Sequence, residues 1–244
     1  MRRRRAGRAL SWLLAVAGVL LLADAGATLA WQEPLTALRA ALAQDGLERD
    51  LARLDAAGPP PADLARAARV TGDRRRVAVL ADALDRRAGP GTPVGRLAIP
   101  RLGLRVVVVH GDAPADLRRD PGTIAGAPLP GARGTAAIAG HRTTYGAPFR
   151  DIDQLRAGDA VVAAMPYATL RYRVTGARVV APSAVSVLRR AGRDRLVLVA
   201  CHPRFSASQR IVVTARLAAV VPRRAGALRT AFGRSAIAIK GARG

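Results

Sequence analysis

Apolar residues recur along this chain in three different rhythms. Residues 9–31 are almost wholly apolar, with Asp24 the only charge, and they follow a stretch, 1–8, that holds five arginines. Such a run predicts a membrane-directed helix, long enough to span roughly 30 Å of hydrocarbon. Its uninterrupted part, 10–23, is also short enough for a signal-peptide core. Ala23-Asp24-Ala25 and Ala25-Gly26-Ala27 both fit small-x-small cleavage sites. Under either reading the arginine cluster stays in the cytoplasm and the remainder is exported; an uncleaved single-pass anchor is the expectation carried forward.

The second rhythm is helical. Leu35, Leu38 and Leu42, then Leu47, Leu51 and Leu54, fall at helical spacing, with Gly46 between the two sets and Pro59-Pro60-Pro61 ending the segment. An Ala/Arg-rich stretch over 62–88 also reads as helix before Gly89-Pro90-Gly91 and Pro93 break it. Large apolar residues are too few for a separate core, so 32–93 is expected to be a helical stalk or linker.

After Val94 the rhythm changes again, to short runs rich in Val, Ile and Leu: 97–99, 106–109, 135–139, 160–164, 170–174, 177–180, 196–200 and 211–217. Turn signals such as Leu129-Pro130-Gly131 and Ala157-Gly158-Asp159 separate them. About eight strands in this length predict a compact, mainly β barrel or sandwich over 94–222, with a basic, solvated tail over 223–244.

Composition narrows the chemistry. Among 244 residues, 40 Lys+Arg face 17 Asp+Glu, giving a formal charge of +23. The excess is spread along the chain, +5 over 1–93, +12 over 94–222 and +6 over 223–244, and Lys240 is the only lysine. That pattern suggests an arginine bias more than one selected basic face, and 3% aromatics give little support to nucleic-acid stacking. For an exported chain the charge suits an anionic membrane or wall polymer better than DNA. One Cys excludes a disulfide framework and Cys-rich zinc sites. The three histidines, His110, His141 and His202, lack metal-ligand spacing, and no cofactor is implied.

Cys201 ends the run Arg195-Leu-Val-Leu-Val-Ala-Cys201, where a buried strand should emerge at a barrel rim, and Pro203 should stop that strand. An exported chain keeping one unpaired thiol risks oxidation, which favours a reactive role. Such a thiol needs a base or a cationic environment before it can attack a carbonyl. His202 is adjacent, but neighbours on a strand point to opposite faces. His110 follows an apolar run and reads as structural. His141 ends another strand, Thr135–Ala139, after a Gly140 that allows close backbone approach, and so shares the context of Cys201. If the strands flanking Cys201–Arg210 pair antiparallel, Arg210 comes opposite the thiol, where it could meet an oxyanion; Arg204 on the loop competes for that place.

At this point the chain resembles a bacterial sortase. The resemblance lies in Ala137-Ile-Ala-Gly-His141-Arg-Thr-Thr-Tyr145-Gly-Ala-Pro-Phe149, the Gly158-Asp159 turn, and Leu196-Val-Leu-Val-Ala-Cys201-His-Pro with Phe205-Ser-Ala-Ser-Gln-Arg210. Ile99-Pro-Arg-Leu-Gly103 and Pro128-Leu-Pro-Gly131 agree, so it covers about 94–218. The tract around His141, with His202-Pro203, is similar to class E sortases of actinobacteria. The resemblance implies an eight-stranded β-barrel cysteine transpeptidase, held at the cell membrane with its catalytic domain outside. Cys201 would be its nucleophile, His141 its general acid/base and Arg210 its oxyanion and substrate clamp. Its partners would be sorting-signal peptides of surface proteins and a peptidoglycan precursor or wall-peptide amine.

Class E likeness further implies a Leu-Ala-x-Thr-Gly signal cut between Thr and Gly. Tyr145, four residues after His141, would flank the cleft and hydrogen-bond a peptide backbone that proline would not offer. The sequence departs from the family where Ala200 replaces the usual Thr before the Cys. Restoring the hydroxyl is expected to leave activity equal or higher. Thr123 also stands where many relatives carry a His. Two alternatives stay open: another wall-acting thiol acyl-transferase such as an L,D-transpeptidase, and a non-catalytic basic module binding anionic polymer.

Overall fold

A computed structural model describes Trp12 and residues 14–20, 34–188 and 194–223. Most of the expected span over 9–31, the arginine cluster and all of the tail beyond Arg223 lie outside the described residues. Trp12 and 14–20 are helical, and no helix among the described residues is long and apolar enough to cross a membrane.

Three helices come first: α1 (Pro34–Ala57), α2 (Pro61–Ala68) and α3 (Asp73–Arg87). Pro61 opens α2, where a missing N–H costs nothing. Eight strands follow: β1 (Pro93–Ile99), β2 (Leu104–Val109), β3 (Gly122–Thr123), β4 (Thr135–Ala139), β5 (Ala160–Met165), β6 (Ala168–Val180), β7 (Arg195–His202) and β8 (Gln209–Pro222). A four-residue helix, α4 (Pro114–Leu117), precedes β3. The strands close in the order β1-β2-β3-β4-β7-β8-β6-β5. The expected barrel is present, although its strands are divided differently. The runs at 170–174 and 177–180 are one strand, β6, whose register against β8 shifts between Val174 and Gly176. The eighth strand is β3, whose two residues are too few for a hydrophobic rhythm to mark.

Leu97, Ile138, Leu170, Leu196, Leu198 and Val213 fill the barrel. The helices form as the spacing predicts, but 34–88 is not a free-standing spacer. Leu47 and Leu51 are fully buried against Val107 and Val109 of β2, while Val77, Ala81 and Leu84 of α3 join the main core. Helices with too few large residues for their own core thus share the barrel's, α1 on the outer face of β2 and α3 within the main cluster. α1 runs straight through Gly46. Its Glu48 and Asp55 both accept from the Arg96 guanidinium of β1, at 2.6 and 2.8 Å, and Asp55 also pairs with Arg223 beyond β8.

Leu51→Ala would leave a cavity between α1 and β2, with an expected loss of about 2–5 kcal/mol in unfolding free energy. Urea denaturation of the two chains measures it. A loss below about 0.5 kcal/mol, the scale of ordinary surface substitutions, would mean that α1 does not dock.

Candidate active site

Alternation along three adjacent strands decides which side chains meet. In β7, Leu196, Leu198 and Ala200 face the barrel interior, while Val197 and Val199 face outward. Cys201 therefore leaves the sheet on the outer face. In β8, Ile211 and Val213 face in and Val212 out, so Arg210 shares the face of Cys201 and stands directly opposite it in the antiparallel register. β4 runs parallel to β7, with Ala139 opposite Val199, and the Gly140 N–H continues the pairing to the Val199 carbonyl at 3.0 Å. Two residues past Ala139 comes His141, and two past Val199 comes Cys201. The three groups singled out in the sequence thus converge on one outer face. Its floor is Ala137, Val197, Val199 and Val212, and it is covered at one end by Val187 of the 3-10 turn Val185–Leu188.

The loop carrying His141 is held from below. A Cβ on Gly140 would lie 2.7 Å from the buried ring of Phe149, so the strand can pass this ring only as glycine. The Phe149 N–H returns to the His141 carbonyl at 3.0 Å, closing the loop. Within it, Tyr145 adopts a left-handed φ of 52°, which sets its ring 4.9 Å from the imidazole, tilted by 45°. Tyr145 thus stands beside His141. Thr144 Oγ1 lies 3.4 Å from His141 Nδ1.

Burial, and then the charge of Arg118, hold the His141 imidazole below its usual value, which favours the uncharged ring. Arg118 escaped the sequence reading. It follows α4, and the chain from there enters β3, whose Gly122 pairs with Ala139. No local pattern marks this placement, because the short β3 is itself invisible in the sequence.

The Arg210 guanidinium donates to the carbonyls of Ala207 and Gln209, both at 2.9 Å, so the β7–β8 loop holds the cation beside the strand end. Arg204, its competitor, is drawn away to Asp151 at 2.6 Å. His202 also turns away from Cys201, its Nδ1 lying 3.0 Å from Nη1 of the buried Arg142. His110 pairs with Asp85 of α3 at 3.1 Å, far along the sheet from Cys201. Thr123 accepts from the Gly111 N–H at 3.0 Å. Among the described residues no group of three or more His, Cys, Asp or Glu could hold a metal.

Two expectations follow. Ala200 is 3% exposed and packs inward with Ile211, so a threonine there would push a hydroxyl and a methyl into a filled barrel. Ala200→Thr should lower the unfolding free energy by about 1–3 kcal/mol, with activity per folded molecule equal or higher; thermal unfolding beside turnover checks both. Arg118→Ala should raise the His141 pKa towards the ordinary imidazole value, read from the imidazole proton resonances across a pH titration. An unmoved titration would leave burial as the sole cause.

Comparison with known proteins follows the same segment. Residues 97–218, half of the chain, match the sortase domain family. Sortase SrtE1 of Streptomyces coelicolor is 29% identical over 154 residues, which are 56% of this chain and 44% of that protein. The chain thus spans less than half the length of this curated relative. A structure of the same sortase E1 with a tripeptide in its active site superposes at a TM-score of 0.53, 29% identical, covering 57% of this chain and 96% of that one. The SrtF sortase from Corynebacterium diphtheriae gives 0.55 at 26% identity, over 59% and 93%. Sortase E from Streptomyces avermitilis gives 0.51 at 33% identity, over 57% and 95%. With the barrel, the motif order and the family match in agreement, the chain belongs to the sortase family.

Proposed function

We propose that this protein is a class E-like cysteine transpeptidase that cuts a Leu-Ala-x-Thr-Gly or similar sorting signal between Thr and Gly and passes the acyl group to a wall-peptide amine. The observation that carries the reading is the convergence of Cys201, His141 and Arg210 at three strand ends on one outer face. In the first half, the Cys201 thiol gives its proton to His141 as its sulfur attacks the threonyl carbonyl, and the Arg210 guanidinium meets the developing oxyanion. Collapse breaks the Thr–Gly bond, and His141 gives a proton to the leaving glycyl amine. In the second half, the acceptor amine attacks the thioester, His141 takes its proton, and the C–S bond breaks as that proton returns to the Cys201 sulfur.

The apolar floor of Ala137, Val197, Val199 and Val212 suits the aliphatic start of such a peptide. Tyr145 is the group beside His141 that can hydrogen-bond the peptide backbone. Single-pass anchoring, with the catalytic domain outside, rests on the apolar run over 9–31 and its arginine flank. Trp12, Leu14, Val19 and Leu20 are all more than 60% exposed, as side chains meant for lipid would be.

The test is mass spectrometry of the full chain incubated with a sorting-signal peptide. A mass increase on Cys201 equal to the peptide without its Gly-containing tail is expected, and its absence from Cys201→Ala fixes the nucleophile. His141→Ala should abolish turnover. Arg210→Lys should lose most of it, because one ammonium does not reproduce a planar fork of donors. Peptides with Ala should outrun those with Pro at the second position, a preference relaxed by Tyr145→Phe. Equal rates would remove the class E specificity while leaving the thioester chemistry intact.

A further inference from the structure

Arg142 follows His141 directly, yet its side chain goes the other way, into the protein, where it is 2% exposed. Its guanidinium meets two pieces of chain. On the return of the histidine loop, Nε donates to the Arg150 carbonyl at 3.1 Å and Nη2 pairs with Asp153 at 2.6 Å. At the end of β7, Nη1 donates to His202 Nδ1 at 3.0 Å and makes a long contact of 3.5 Å to the Cys201 carbonyl.

This placement matters because the β4–β7 register closes at Ala139 and Val199, with one more backbone bond from Gly140. His141 and Cys201 both lie beyond that register. Arg142 bridges the same gap from the opposite face, through side-chain donors. A planar guanidinium suits the task, since its donors keep fixed mutual angles and reach several acceptors at once. By donating to Nδ1 of His202 it also fixes that ring with its proton on Nε2.

We propose that Arg142 is a positioning residue that sets the distance and orientation between Cys201 and His141, fastening the histidine loop to the cysteine strand through Asp153, the Arg150 carbonyl and His202. The inference rests on the reading of Cys201 and His141 as the reacting pair. It gives the pairing of the buried Arg142 with Asp153 a purpose beyond stability, and it places His202 in the support of the site.

Arg142→Lys in the full chain tests it, with Arg142→Met beside it. Lysine keeps a positive charge for Asp153 and loses the fork. Both variants should lower kcat by about ten- to hundred-fold, the scale of a catalytic pair displaced by an ångström, while KM for the sorting peptide changes by less than about two-fold, too little for a lost substrate contact. The rate of Cys201 alkylation by iodoacetamide, followed against pH, should give a profile displaced from that of the wild-type chain. Alkylation needs no peptide, so it reads the pair even if the substrate is misassigned: an altered alkylation profile in an enzyme inert to sorting peptides would overturn the proposed function and keep this inference. Should neither variant fold, Asp153→Asn carries the test, expected to give the same split between kcat and KM with a smaller loss. A folded variant with wild-type kcat and an unchanged alkylation profile overturns the proposal, as does one whose only change is a lower melting temperature.

Discussion

The parallel, in-register pairing of β4 with β7 is the constraint on which the site depends. Parallel strands end on the same side, so the residues that follow Ala139 and Val199 leave the sheet together. Such a pair needs a crossover, and the chain between them supplies it by running through β5 and β6, which close the far side of the barrel against β1 and β8. β8 then turns back antiparallel from the end of β7, which sets Arg210 beside Cys201 without any further element. A slip of one residue in any of these pairings would send one of the three side chains to the opposite face.

That dependence explains the composition of the strands. The outer face of β4, β7 and β8 near the site is itself apolar, built from Ala137, Val197, Val199 and Val212 under Val187. With both faces covered, β7 reads as an unbroken apolar run, Leu196 to Ala200, with no alternation. The run identifies a buried strand and its end. It does not reveal which face Cys201 takes, because the signal that would decide it, a polar residue every second position, is absent. Ala200 illustrates the consequence: beside the Cys in sequence, it belongs to the barrel interior, and family motif position alone says nothing about that.

The legible parts of this molecule are those with local signals. The barrel, the helices and the strand-end positions of Cys201, His141 and Arg210 all follow from short-range pattern, and Tyr145 from its distance to His141. What was not legible is long-range. Leu47 and Leu51 announce an amphipathic helix, but only the fold shows that Val107 and Val109 receive them. Arg118 and Arg142 are two arginines in a chain rich in them, and their sequence neighbourhoods resemble those of solvated ones. Their importance comes from what the fold brings near: an imidazole for the first, an aspartate and the end of β7 for the second.

The charges around the site are sorted by partner. Arg142 is matched by Asp153 and Arg204 by Asp151, so these two cations are neutralised. By contrast, neither Arg118 nor Arg210 has a carboxylate within 4 Å among the described residues. A cleft of this sign suits an oxyanion and disfavours an imidazolium. In the proposed reaction that bias acts oppositely in the two halves. Once protonated by the thiol, His141 is a readier donor to the departing amine than an ordinary imidazole would be. As a base towards the acceptor it is correspondingly weaker, so the second half depends on the acceptor amine arriving uncharged. An incoming ammonium would be repelled by Arg118 and Arg210, whereas a neutral amine would not, so the Arg210 that would meet the oxyanion in the proposed first half would also favour an uncharged nucleophile in the second.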